Sequence, residues 1–227
     1  MVGSTTKPLG RYPASNFLTP PLMTMSDASS LDEALKSLER DLTADRVSIA
    51  AQSGIPFAIL RYSPSEEFRA RRLLRLFAHS LEQQHHRRAA FISVSRLVWN
   101  AIRETDGVDY LFQTEGLDDG VQSAQNDIKG RLIPEEPYAL AKQIMDILDG
   151  FSPKPDVLFL VRAGGLAPHI YRSSTLLDEL HKLNLTTPTI LCYPGSAVVG
   201  TDLQFYDLSG GEGLGAYNYR VKIYGTN

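Results

Sequence analysis

Apolar positions along the chain recur with two periods, and each change of period marks an element. Leu31, Ala34, Leu35, Leu38 and Leu42 repeat at helical spacing, which predicts an amphipathic helix. Ser30 stands as its N-cap, with Glu33 three residues on in the capping-box arrangement. Behind Gly54-Ile55-Pro56 the run Phe57 to Tyr62 is short and continuously apolar apart from Arg61, which predicts a buried strand. Ser63-Pro64-Ser65-Glu66-Glu67 then opens a helix reaching to about Gln84. Serine caps it, proline suits the first turn, and carboxylates favour the positive end of the dipole. Arg88 to Val94 predicts a second strand, and Leu97, Val98, Ala101 and Ile102 the helix after it. Val108 to Gly150 reads as helical, broken at Gly116 to Gly120 and at Pro134 to Pro137. Asp156 to Val161 and Thr189 to Tyr193 are the clearest central strands, with a helix from Ser173 or Ser174 between them. Leu203 to Tyr206 and Tyr217 to Tyr224 have β character and predict a C-terminal edge hairpin.

Strands alternating with helices predict one three-layer α/β domain on a mostly parallel sheet over residues 31–227. Its outline is that of a P-loop protein. Residues 1–30, rich in Pro, Ser and Thr, lack the apolar content for a fixed structure and read as an extension.

Composition narrows the class. The 227 residues suffice for one sizeable domain, and 43% hydrophobic against 22% charged is a water-soluble balance. A net charge of −3 gives no overall pull toward nucleic acid. Cys192 is the single cysteine and lies in an apolar run, so a disulfide framework and a thiolate metal cage are both excluded. That fits the reducing cytoplasm. No apolar stretch has the length of a membrane span, and no signal-type apolar core precedes residue 30.

Candidate chemistry is sparse. The turn after the first strand, Arg61 to Glu67, has no glycine, no lysine and two carboxylates, so it is no Walker A or dinucleotide loop. Arg162-Ala163-Gly164-Gly165 follows the strongest strand, where open α/β sheets place ligands. Arg162 and Arg172 there suit an anion or an acidic partner surface, against the plainer reading of a tight turn with solvated arginines. Gly210 to Gly215 lies between two β-type segments with no helix to follow, which describes a loop better than a phosphate cradle. Ser173, Ser174, Ser196, His169 and Asp178 lack a Gly-x-Ser-x-Gly elbow. His85 and His86 are neighbours that cannot share a helix face. No catalytic residue, metal or cofactor is therefore expected. Arg69, Arg71, Arg72, Arg75, Arg87 and Arg88 gather positive charge on and after one helix, a patch for phosphates or acidic surfaces unless Glu66, Glu67 and Glu82 neutralise it. Tyr62, Trp99, Tyr110, Tyr171, Tyr206, Tyr217 and Tyr219 are expected in core or edge packing.

The carboxyl-terminal third resembles a known family. Asp156 to Ala163 (DVLFLVRA), the segment Gly164 to Leu177 with its Arg-Ser-Ser-Thr-Leu-Leu helix start, and Pro188 to Gly195 (PTILCYPG) are similar to the BrxB family of BREX bacteriophage-exclusion systems. Leu203 to Tyr206, Tyr217 to Arg220 and the strand from Pro56 to Tyr62 fit as well, although Gly210 to Gly215, Ser174 and residues 1–30 depart from the family pattern. The resemblance implies an accessory subunit in antiphage defence without enzymatic activity of its own. It also implies a PglZ-like, alkaline-phosphatase-superfamily partner, with a methyltransferase and a large ATPase in the same system. On this reading Arg162, Gly164, Gly165, Tyr171 and Arg172 are the candidate interaction site, and Arg69, Arg72, Arg75, Arg87 and Arg88 a weaker one. Two rivals stay open. One is nucleic-acid binding through the arginine patch; the other is a small nucleotide-responsive protein with an anion site at Gly164-Gly165.

Overall fold

The apolar runs at Phe57, Val157 and Thr189 pair side by side because continuous apolar strands can satisfy their backbone only in a sheet covered on both faces. In the computed structural model, the residues described are 27–44, 49, 55–105, 107–166, 170–197, 203–205 and 221–225. The strands are β1 (Phe57–Tyr62), β2 (Ala89–Ser93), β3 (Val157–Val161), β4 (Thr189–Ala197), β5 (Leu203–Phe205) and β6 (Lys222–Tyr224). Five of them run parallel in the order β2-β3-β4-β1-β6. The helices are α1 (Asp27–Thr43), α2 (Glu67–His85), α3 (Val94–Glu104), α4 (Gly107–Glu115), α5 (Gly120–Arg131), α6 (Leu140–Asp149) and α7 (Ser173–Lys182).

Alternation along each strand divides the interior into two cores. Ala58, Leu60, Phe159, Ile190 and Cys192 face α1 and α2, packing on Leu31, Leu38, Leu74 and Leu81. Phe57, Ile59, Leu158, Leu160 and Leu191 face the other way, against residues of α3, α6 and α7. The layers follow from crossover handedness. The link from β1 to β2 crosses the sheet in one direction and those from β2 to β3 to β4 return in the other, so right-handed crossovers put their helices on opposite faces. Phe159 joins the aromatic packing, edge-on to Phe77 at 6.1 Å and stacked on Phe91 at 5.2 Å. Cys192 lies at the bottom of its core, and burial pushes its thiol up, which makes it an inert packing group.

Three expectations need correction. The first helix begins at Asp27, so Ser30 lies inside its first turn and does not cap it. Ser173 or Ser174, expected to cap the helix that starts there, does not: Ser173 is buried as the first residue of α7, and the N-cap position is Arg172, with no side-chain cap bond. The two closing segments do not pair as a hairpin with each other. β5 folds back antiparallel on the end of β4, while β6 adds parallel to the open edge of β1. The open edge of β1 offers β6 backbone partners, which it takes at Ala58, Ile59 and Leu60. Gly210 to Gly215, Tyr206, Tyr217, Tyr219 and His169 lie outside the described residues.

Candidate functional site

All five parallel strands end at one edge, where open α/β sheets keep their sites. At the end of β1 a single 3-10 turn, Pro64–Glu66, leads into α2. The space a phosphate would take at the start of α2 is filled by the chain itself. Glu67 is buried there, accepting Tyr62 Oη at 2.6 Å on one carboxylate oxygen and Arg71 Nε at 2.7 Å on the other. Glu66 takes Arg69 at 2.6 Å, and Arg69 reaches Asp32 of α1 at 2.7 Å. The positive end of the α2 dipole is thus answered by its own carboxylates. Arg61 is also buried and donates through Nε to the Gly225 carbonyl at 2.8 Å. That closeness needs glycine. Gly225 has φ of +87°, and a Cβ there would stand 2.2 Å from the Arg61 carbonyl oxygen.

At the end of β3 the chain turns sharply. Arg162 has φ of +57°, left-handed and uncommon for a residue with a side chain. Its carbonyl accepts Ser95 Oγ at 2.7 Å, and the 3-10 turn Ala163–Leu166 follows, with Ala163 and Leu166 buried. Gly165 packs on α3 so closely that a Cβ would lie 2.6 Å from Ser95 Cα. Gly165 thereby docks the β3 turn onto the first turn of α3. Tyr171 N donates to the Leu166 carbonyl at 3.4 Å and ties the turn to the start of α7. Arg162 and Arg172 are exposed beside it.

Tyr171 sits differently from those two arginines. It is 7% exposed, and its hydroxyl donates to Glu179 Oε1 inside the core. Burial holds the Tyr171 hydroxyl well above its ordinary range, and the Glu179 carboxylate adds to the effect. Burial also raises Glu179, against the bond from Tyr171. Among the described residues Glu179 Oε2 has no hydrogen-bond partner. Tyr171 therefore positions the turn and the α7 start and presents no face to a partner.

The arginine patch divides. Arg69 and Arg71 are engaged by Glu66, Asp32 and Glu67, and Arg88 by Asp156 at 3.5 Å. Arg87 is half-buried just past the end of α2. Arg72 and Arg75 are exposed and form no ion pair among the described residues.

A second surface has no counterpart in the sequence reading. Trp99, expected in packing, is 53% exposed, and Phe112, Leu117 and Val121 are 66%, 69% and 56% exposed. They stand at and around an open apolar cleft of about 340 Å³ between α3, α4 and α5, which Val98, Ile102, Leu111 and Ile128 line. Gly165 and Ile170 form part of its wall, so the cleft adjoins the β3 turn. Trp99 falls off the Val94, Leu97, Val98, Ala101, Ile102 stripe, and that offset is the signal for its exposure. Among the described residues no group of three His, Cys, Asp or Glu is arranged to hold a metal ion, and no helix is long and apolar enough to cross a membrane.

The sequence profile of the family described as BREX protein BrxB matches residues 90–223, more than half of the chain. The chain belongs to the BrxB family. The match begins inside β2 and runs into β6, so it takes in the glycine turn, the cleft and α7. Membership makes the protein a component of a BREX antiphage system. No curated protein and no solved structure matches it.

Proposed function

We propose that this BrxB-family chain is a non-catalytic accessory subunit of its BREX system, holding a PglZ-like, alkaline-phosphatase-superfamily partner in the cytoplasm. The methyltransferase and ATPase of such systems are further neighbours in the assembly. The observation that carries the reading is the filled end of β1. Where a nucleotide-binding sheet leaves backbone amides open to phosphate, this chain packs the Tyr62–Glu67–Arg71 cluster. A β1 end filled by the chain's own side chains, in a family of defence-complex components, supports binding of protein partners. The partner surface centres on Arg162 and Arg172 beside the Gly164-Gly165 turn, with Tyr171 fixing their backbone. The test is affinity capture of the tagged chain from cells expressing the whole operon, followed by mass spectrometry. A PglZ-like protein is expected in comparable amount, and Arg162→Glu or Arg172→Glu is expected to reduce it while the melting temperature holds. Full recovery with both variants would remove the site assignment; no recovery with the native chain would remove the accessory reading.

A second reading, nucleic-acid binding by α2, rests on exposed Arg72 and Arg75. Two phosphate contacts give a log–log salt slope of roughly −2. Binding to duplex or single strands with that slope, abolished by Arg72→Glu with Arg75→Glu, would favour it. A nucleotide site at Gly164-Gly165 would show instead as a thermal shift with a nucleotide panel.

A further inference from the structure

The cleft between α3, α4 and α5 has a charge pattern of its own. Between Arg103 and Lys129 the chain carries seven acidic residues and no lysine or arginine. Of these, Glu104, Asp109, Glu115, Asp118 and Asp119 are exposed and form no ion pair among the described residues. Glu115 lines the cleft itself. Nearby, the Arg131 guanidinium lies over the Tyr110 ring at 5.7 Å. An apolar channel with exposed aromatics at its lip and a one-signed rim costs solubility and gains nothing in the isolated chain. Like-signed carboxylates unmatched from within are matched from outside.

The hairpin that carries this rim is built to hold its shape. Gly120 packs so tightly under the α4–α5 connection that a Cβ would stand 2.1 Å from the Thr114 carbonyl oxygen. Asp119 enters α5 with φ of +57°. α4 and α5 are therefore held as a pair, and their open side faces α3.

We infer that this cleft docks an amphipathic helix of a partner subunit, one whose apolar residues at i, i+3 or i+4 and i+7 enter between Trp99, Phe112 and Val121. Lysines or arginines flanking them meet Glu115 and Asp118. Open grooves lined by helices take helices in this way, anchors supplying affinity and rim charges supplying register and encounter rate. Among the described residues that line it, the polar Ser95, Glu115 and Gln125 are none of them fully buried, so no convergent buried polar set orients a small molecule there. The inference rests on the accessory-subunit reading and adds a second surface, adjoining the Arg162–Arg172 turn, and the chemistry of what that surface binds.

The test uses the full chain and the PglZ-like subunit of its own operon. Phe112→Ala with Val121→Ala and, separately, Glu115→Lys with Asp118→Lys are expected to weaken the complex at least tenfold at low salt. All four positions are exposed, so melting temperatures are expected to stay within about 2 °C. Arg72→Glu with Arg75→Glu, on the opposite layer, is expected to leave affinity unchanged. A carbodiimide that joins carboxylates to lysines, followed by mass spectrometry, is expected to link Glu115 or Asp118 to a lysine in a segment of helical apolar periodicity on the partner. Native affinity in both cleft variants overturns the inference and leaves the accessory reading standing. Cross-links to residues 1–26, or to α2 of a second copy, overturn it in favour of those occupants. No binding by the native chain overturns both.

Discussion

Tyr171, a candidate interaction residue by its place in the sequence, is turned into the core by the fold. It follows a glycine turn at the carboxyl edge of the sheet, where ligand contacts are common, yet its ring is buried and its hydroxyl serves Glu179. Tyr171→Phe would leave that carboxylate with both oxygens unpartnered, since Oε2 already is. A buried acceptor stripped of its donor costs about 1–3 kcal/mol. Chemical denaturation is therefore expected to register a loss of that size, with partner affinity unchanged once the folded fraction is corrected for. Gly165 is the complementary case. Its lack of a side chain is a packing demand set by Ser95, so Gly165→Val is expected to lower the melting temperature and to displace the Arg162 turn. Nothing in the local sequence distinguishes Gly165 from an ordinary loop glycine, because the atom that would collide belongs to α3.

At the level of elements, the edge strand β6 depends on one tie to α1. Asp41 accepts hydrogen bonds from Lys222 Nζ and from Tyr224 Oη, the latter at 2.6 Å. Burial alone would raise the Asp41 carboxyl, but those two bonds and the Lys222 and Arg40 charges more than offset it, and it lies below its ordinary value. A carboxyl depressed in the folded state adds stability that is present above its unfolded pKa and lost as pH falls through the folded one. Acid unfolding of the native chain is accordingly expected to include a component below about pH 4 that Asp41→Asn lacks. Hydrogen exchange at Ile223 and Tyr224 is expected to accelerate in the same variant. The partner of β6 was beyond reach of pattern reading. Short β-type segments separated by glycines look like a hairpin, whereas the open edge beside β1 competes for the same backbone and wins. The helices were more legible. α3, α6 and α7 carry stripes whose buried members sit at the expected spacing, whereas in α2 the apolar Phe68 and Leu76 face outward and Ala70 and Leu74 are buried instead.

For the molecule as a whole, the decisive feature is that two cores share one sheet. α1 closes the first of them with Leu31, Leu35, Leu38 and Leu42, all buried. Burying each such side chain contributes roughly 1.5–3 kcal/mol, so the four together rival the ~5–15 kcal/mol net stability of a whole domain. A chain lacking residues 1–44 is expected to lose its cooperative thermal transition, as circular dichroism would show. The sequence alone determined the α/β class, the parallel strands, the absence of a phosphate loop after β1 and the BrxB family, because each is written in local periodicity or in a contiguous motif. Tertiary structure decided the rest: which carboxylate fills the end of β1, which tyrosine turns inward, which edge β6 joins, and that Trp99, Phe112 and Val121 from three helices border one acidic cleft. Those outcomes depend on atoms brought together from positions far apart in the chain, and a pattern of neighbours carries no record of them.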